Sequence, residues 1–214
     1  MRIVIVGAGG LGREVLAYAR DTYAARREYV FVDDDRNKAG ATVDGASVVG
    51  TIADLGRREE DEVVIAVGST DGRARIRSEL SQRDVRFGTI VHPRAYVAAG
   101  ASVEEGCVLA PFAFVGPAAS LGAHTVLNVY GSVGHDARTG VCCVLSPYAT
   151  LNGNARLEDA VFLGTHATVG VGVRIGSRSQ VAAGSVVYRD VAPNSLAAGN
   201  PARGQVLYGP PTEK

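Results

Sequence analysis

Hydrophobic and polar positions follow two rhythms along this chain, and the change falls near His92-Pro93. Ahead of that point, short aliphatic runs alternate with amphipathic stretches. Ile3 to Val6 predicts a strand, Arg13 to Ala25 a helix and Tyr29 to Val32 a second strand; Leu55 falls in a short polar helix, Val63 to Val67 predicts a third strand and Arg73 to Leu80 a third helix. Alternating strands and helices predict a small α/β unit on a three-stranded parallel sheet.

Beyond His92 the period is six. Stepping from Val91 by sixes lands on Val, Ile or Leu at sixteen of seventeen positions up to Val187, with Thr139 the exception. A small residue often sits two places ahead of the aliphatic, as at Ala95, Cys107, Ala113, Ala119, Ala137 and Ala149, and Gly often follows it, as at Gly116, Gly134 and Gly164. A hexapeptide that is part strand and part turn, with its aliphatic inward, predicts a parallel β-helix of triangular section. Three hexapeptides close one coil, so seventeen give between five and six coils. Flat outer faces of such a prism are expected to assemble with copies of themselves. A sandwich of ordinary strands needs turns every 8 to 12 residues, and six is too short for it. The expected division is residues 1–90, 91–198 and a C-terminal extension at 199–214.

Charge follows the same division, with 29 of the 44 charged side chains lying in the first 90 residues. The 214-residue chain carries 22 basic and 22 acidic side chains, so no basic excess favours nucleic acid or an anionic membrane. No run of 18 apolar residues suggests a membrane span, and Met1 leads straight into a strand pattern, so a cytosolic location is expected. Cys107, Cys142 and Cys143 lack metal-type spacing and read as small buried thiols. Glycine is abundant, 27 of 214, as repeated tight turns require.

Six motifs together carry a resemblance over essentially the whole chain. They are Gly7-Ala8-Gly9-Gly10-Leu11-Gly12 after the first strand, Val32-Asp33-Asp34-Asp35 after the second, Ile65-Ala66-Val67-Gly68 after the third, Val91-His92-Pro93, Gly134-His135-Asp136, and Gly199-Asn200-Pro201-Ala202-Arg203. The chain resembles the bacterial hexapeptide-repeat sugar acyltransferases that include sialic acid O-acetyltransferase and the bacillosamine and perosamine N-acetyltransferases. That resemblance implies a Rossmann-like front domain, a left-handed parallel β-helix, a homotrimer, and acetyl-CoA held in a groove between neighbouring prisms.

Acyl transfer from a thioester to an amine or alcohol needs a base for the acceptor's proton, and a near-neutral imidazole suits that task. His135 lies two residues past Val133, on a turn or outward corner, and Asp136 follows. A carboxylate on one ring nitrogen fixes the tautomer and leaves the other free to accept a proton. The pair is similar to the family's dyad, which implies His135 as base, Asp136 as its modulator and Asn128 near the acceptor group. His92 reads as structural, His166 as a turn residue beside a groove, and His124 has no assigned place.

By the same resemblance the donor touches Thr165, Ala183 and Gly184, while Val144 stands where relatives often place a histidine against the acetyl group. The acceptor, commonly a nucleotide-linked sugar, is expected at Gly9, Gly10, Leu11, Asp33, Asp34 and Gly68, with Leu11 replacing a histidine of several relatives. Read from residues alone, the Gly7-x-Gly9-x-x-Gly12 turn and Asp33 also satisfy a dinucleotide fingerprint, although three strands supply no second half for a dinucleotide. Two other readings therefore stay open: an NAD(P)-dependent oxidoreductase, and a non-catalytic trimeric sugar-binding scaffold.

Overall fold

A computed structural model describes residues 2–23, 27–56 and 58–206. The front unit comprises β1 (Arg2–Val6), α1 (Gly10–Tyr23), β2 (Glu28–Val32), β3 (Thr42–Val43), β4 (Ala46–Val48), β5 (Asp61–Ile65) and α2 (Thr70–Ser81). Its sheet runs β3-β4-β2-β1-β5, with β4, β2, β1 and β5 parallel and β3 an antiparallel edge.

The sheet thus has five strands rather than the three expected. The missed pair is a hairpin on Asp44-Gly45, both at positive φ (46° and 80°), a two-residue turn that Asp-Gly favours. The short polar helix expected at Leu55 is a 3-10 turn at Ile52–Asp54 that stops before it. Leu55 is extended, and Asp54 reaches back to the Thr51 amide to cap the turn. The tail of the expected first helix, at 24–25, lies outside the described residues.

After Thr89 the chain winds into a parallel β-helix of two-residue strands, each pairing with the strand eighteen residues on. Val91, Leu109, Leu127, Leu145, Leu163 and Val181 line one face. The second carries Val97, Val115, Val133, Leu151, Val169 and Val187. The third carries Val103, Leu121, Thr139, Leu157 and Ile175. Their side chains meet on the axis with the small residues Cys107, Ala113, Ala119, Ala137, Cys143 and Ala149 in one continuous core. Thr139 is tolerated there because its hydroxyl takes the Gly122 N–H at 3.1 Å and meets the Thr125 hydroxyl at 3.3 Å.

Each coil turns three corners, and from Gly100 to Gly184 the residue three past each inward position sits in the left-handed region. Phe112, Tyr130, Tyr148 and His166 mark the first corner, Ala118, Asp136 and Asn154 the second, and His124, Cys142, Ala160 and Arg178 the third. A left-handed conformation costs a non-glycine residue of order 1 kcal/mol. At most of these corners the amide is held by the coil before it, as when the Asp136 N–H donates to the Pro117 carbonyl at 3.0 Å. Strand Ser195–Gly199 adds to the first face beside Gln180–Val181 and folds back through Ala202–Val206, so this hairpin straddles residue 199.

The front unit sits on the outside of the first face. Val15, Leu16 and Ala19 of α1 share an apolar cluster with Ile90, Val108, Val126 and Val144. The Thr22 and Tyr23 hydroxyls at the far end of α1 donate to the Val91 and Thr89 carbonyls at 3.4 and 2.8 Å. Removing a fully enclosed axial side chain leaves a void that a closed coil cannot collapse into. Leu145→Ala is therefore expected to lower unfolding free energy by about 3 kcal/mol in a denaturant titration.

Candidate active site

The coil builds His135 and Asp136 as neighbours on the second corner. Val133 anchors the strand inward, the His135 carbonyl accepts the Asn154 N–H at 2.9 Å, and Asp136 takes the left-handed position. Asp is among the non-glycine residues most at ease there. His135 Nδ1 meets Asp136 Oδ2 at 2.9 Å, and both side chains stand in solvent at 62% and 55% exposure. With Nδ1–H donating to the carboxylate, Nε2 is left as the proton acceptor.

Gly153, one coil on, sets where that ring lies. A Cβ built on Gly153 would stand 2.4 Å from His135 Nε2 and 2.6 Å from Cε1, so the imidazole occupies the space a side chain would take. The six-step pattern marks Gly153 as a turn residue, and only stacking at eighteen residues reveals its contact.

Asn128, Thr165, Ala183 and Gly184 gather on the first corner, one face away from the dyad. Thr165, Ala183 and Gly184 are exposed, and no atom stands within 4 Å of a Cβ built on Gly184, which leaves an open shelf. Asn128 is half-buried, and its Oδ1 accepts the Val129 N–H at 2.7 Å. The structure therefore brings Asn128 to the corner of Thr165, Ala183 and Gly184 rather than to that of His135. Along the same corner Phe112, Tyr130, Tyr148 and His166 stack with centroids 4.7–5.0 Å apart. Val144 lies on neither corner. It is buried among the apolar side chains that face the front unit, so its expected donor contact has no surface in this chain.

The glycine loop divides its labour. Gly7 needs its φ of +105°, and a Cβ on Gly12 would stand 1.9 Å from the Gly7 carbonyl oxygen, so these two serve the close packing of α1. Gly9, Gly10 and Gly68 after β5 are exposed, a Cβ built on any of them would meet no described neighbour within 4 Å, and Leu11 is half-buried. Asp33 ties the loop down: its carboxylate accepts the Ala8 N–H at 2.8 Å, the Asp35 N–H at 2.9 Å and the Lys38 ammonium at 2.9 Å. Burial raises its pKa, but the Lys38 contact and the two amides outweigh that and hold it below the ordinary range. Asp34 accepts the Ile52 N–H at 2.9 Å. Both carboxylates are thus engaged with their own chain, and the exposed backbone of Gly9, Gly10 and Gly68 is left facing outward.

His92 is structural, with Nδ1 accepting the Arg94 N–H and Nε2 meeting Asp21 at 3.1 Å. The cysteines are buried, and burial pushes Cys107 and Cys143 up to about 12, far from a nucleophilic thiolate. His124 is buried on the third corner, edge-on to Phe87 with ring centroids 4.4 Å apart, and neither ring nitrogen has a hydrogen-bond partner among the described residues.

These features can be set against known proteins. The family model described as PglD N-terminal domain matches residues 2–80, and hexapeptide repeat of succinyl-transferase matches 155–189. The acetyltransferase domain of PglB from Neisseria gonorrhoeae, solved in complex with acetyl coenzyme A, is 30% identical at a TM-score of 0.87, covering 95% of this chain and 98% of that one. The chain belongs to the PglD-type hexapeptide-repeat sugar acyltransferases. WeeI from Acinetobacter baumannii is 26% identical (TM-score 0.88; 96% of this chain and 100% of that one). A mutant perosamine N-acetyltransferase from Caulobacter crescentus, in complex with CoA and GDP-perosamine, is 27% identical (TM-score 0.86; 96% and 97%). A comparison with curated protein sequences returns no match. Family membership makes the chain an acyltransferase and leaves the oxidoreductase and scaffold readings without support.

Two outcomes are expected. Gly153→Ala displaces the His135 ring while leaving the coil folded, so acyl transfer falls at least about tenfold with an unchanged melting temperature. His124 is pushed down to about 4 by burial, with Arg73 and Arg77 adding to the effect, so between pH 6.5 and about 4 the unfolded chain binds one proton more than the native one. Stability then falls as pH drops through that window and this contribution levels off below it. His124→Asn, which suits the left-handed position, flattens that slope in denaturant titrations run at several pH values.

Proposed function

We propose that this enzyme transfers the acetyl group of acetyl-CoA to an amino or hydroxyl group of a nucleotide-linked sugar, with His135 as general base. The observation that carries the reading is the His135–Asp136 contact at 2.9 Å on an exposed corner of the β-helix. Relatives solved with acetyl coenzyme A, or with CoA and GDP-perosamine, support the two substrate classes.

In this reading His135 Nε2 takes the proton from the acceptor nitrogen or oxygen as that atom attacks the thioester carbonyl. Asp136 holds the ring by Nδ1–H and stabilises the imidazolium that forms. The proton then passes to the departing thiolate. Thr165, Ala183 and Gly184 offer the donor an open corner of small residues where its arm lies against backbone. Gly9, Gly10, Leu11 and Gly68 receive the acceptor, with Asp33 and Asp34 fixing the loops behind them. Residues 1–90 thus serve the acceptor and 91–198 the transfer, while the hairpin from Ser195 to Val206 stands at the donor end.

Donor residues, base and acceptor loop do not converge within one chain. The dyad stands on the corner opposite the face that carries the front unit, and the donor shelf stands on the next corner along. From Tyr23 to Leu11, α1 rises about 18 Å. Its Val15, Leu16 and Ala19 pack on the first face, so the glycine loop at its N-terminus stands on that side of the prism, away from the corner of the dyad. A homotrimer of parallel prisms, with the first corner of one chain against the second corner of the next, unites the parts.

His135→Ala is expected to lower kcat by about 10²–10⁴ with acetyl-CoA and an amino-sugar nucleotide, with KM values little changed, and Asp136→Asn by a smaller factor. Full turnover by His135→Ala would refute the mechanism.

A further inference from the structure

Arg73, on the first turn of α2, is fully buried at 0% exposure, and among the described residues its guanidinium donates to backbone carbonyls. Nε and Nη2 donate to the His124 carbonyl at 3.1 and 2.9 Å, and Nη1 donates to the Ile65 and Val67 carbonyls at 2.7 and 3.1 Å. Burying a cation with neutral partners alone is costly, so the position demands a return.

What the guanidinium joins explains that return. On one side are the last carbonyls of β5 and the residue before Gly68, where the acceptor loop begins. On the other is the third corner of the β-helix. The planar fork spans both sets of acceptors at once, which a lysine ammonium, a single point on a flexible stem, does not. Further contacts support the junction without replacing it: Phe87 lies edge-on to His124 at 4.4 Å, and Asp71 meets Arg178 at 3.5 Å between exposed side chains. Exposed pairs of that kind contribute little. Ser69 caps α2 by accepting the Gly72 N–H at 3.2 Å, so the turn from Val67 to Ser69 is held at both ends.

We propose that Arg73 is a positioning residue for acyl transfer, fixing the 67–69 acceptor loop against the β-helix corner at His124 so that the acceptor is presented at a set height along the prism. This rests on the acetyltransferase reading above. Arg73 touches no substrate in it, and acts through the backbone of Val67 and the packing of α2.

The test compares intact wild type with Arg73→Lys and Arg73→Met by steady-state kinetics and amide hydrogen exchange. The expected result is a KM for the nucleotide-sugar at least about tenfold higher, a KM for acetyl-CoA within about twofold of wild type, and faster exchange at 67–69 and around 124. Arg73→Lys is expected to recover part of the acceptor KM. Folded variants with wild-type exchange and acceptor KM would overturn the proposal, as would equal loss toward both substrates. Should both Arg73 variants fail to fold, Phe87→Leu loosens the same junction from the other side. It is expected to shift exchange and acceptor KM in the same direction, and an unchanged Phe87→Leu would overturn the proposal. Exchange needs no turnover, so wild type that acetylates no nucleotide-sugar would refute the acetyltransferase reading and leave the clamp separately measured.

Discussion

Backbone pairing at a spacing of eighteen residues is the constraint on which everything else in this protein depends. Once three hexapeptides close a coil, each aliphatic of the six-step series points to the axis, and each third residue past it turns a corner in the left-handed region. Faces are then flat, and the corners are where neighbouring side chains of varied chemistry are brought together clear of them. The three corners carry three different jobs. One offers small exposed residues and an aromatic ladder, one presents the imidazole and its carboxylate, and one receives the front unit through His124, Phe87 and Arg73.

Rigidity along the prism lets a glycine and a buried arginine set where the His135 ring and the loop after β5 stand. Gly153 leaves space that the His135 ring fills, and that space exists only because coils stack in register. Arg73 transmits the position of the same coils to the loop after β5. Apolar packing between α1 and the first face holds the front unit close, but such contact is tolerant of sliding, whereas a fork bonded to carbonyls on both sides is not.

Much of this was legible in the sequence because the β-helix writes its period directly. Val91 to Val187 by sixes gives the coil, and Val133 places His135 and Asp136 on a corner. The hairpin at Thr42–Val48 escaped because its strands are two and three residues long, although Asp44-Gly45 marked it. Boundaries slipped where local pattern is weak: α1 starts at Gly10 and β5 ends at Ile65, against expectations of Arg13 and Val67. Contacts at eighteen residues or across the two units were out of reach. His124 reads as an unplaced ring and Val144 as a donor residue when its side chain is turned toward the front unit, and nothing in the pattern singles out Gly153 or Arg73.

In the proposed homotrimer, one active site takes its donor shelf from one chain and its base from the next. Intersubunit complementation tests it most directly: His135→Ala chains, which keep the first corner intact, are co-assembled with Ala183→Trp chains, which keep the dyad intact. Each parent alone is expected to be inactive, and the mixture to regain transfer at the sites where an intact corner of one chain meets the intact dyad of the other. A mixture shown to contain both chains in one assembly yet no more active than its parents would contradict the account.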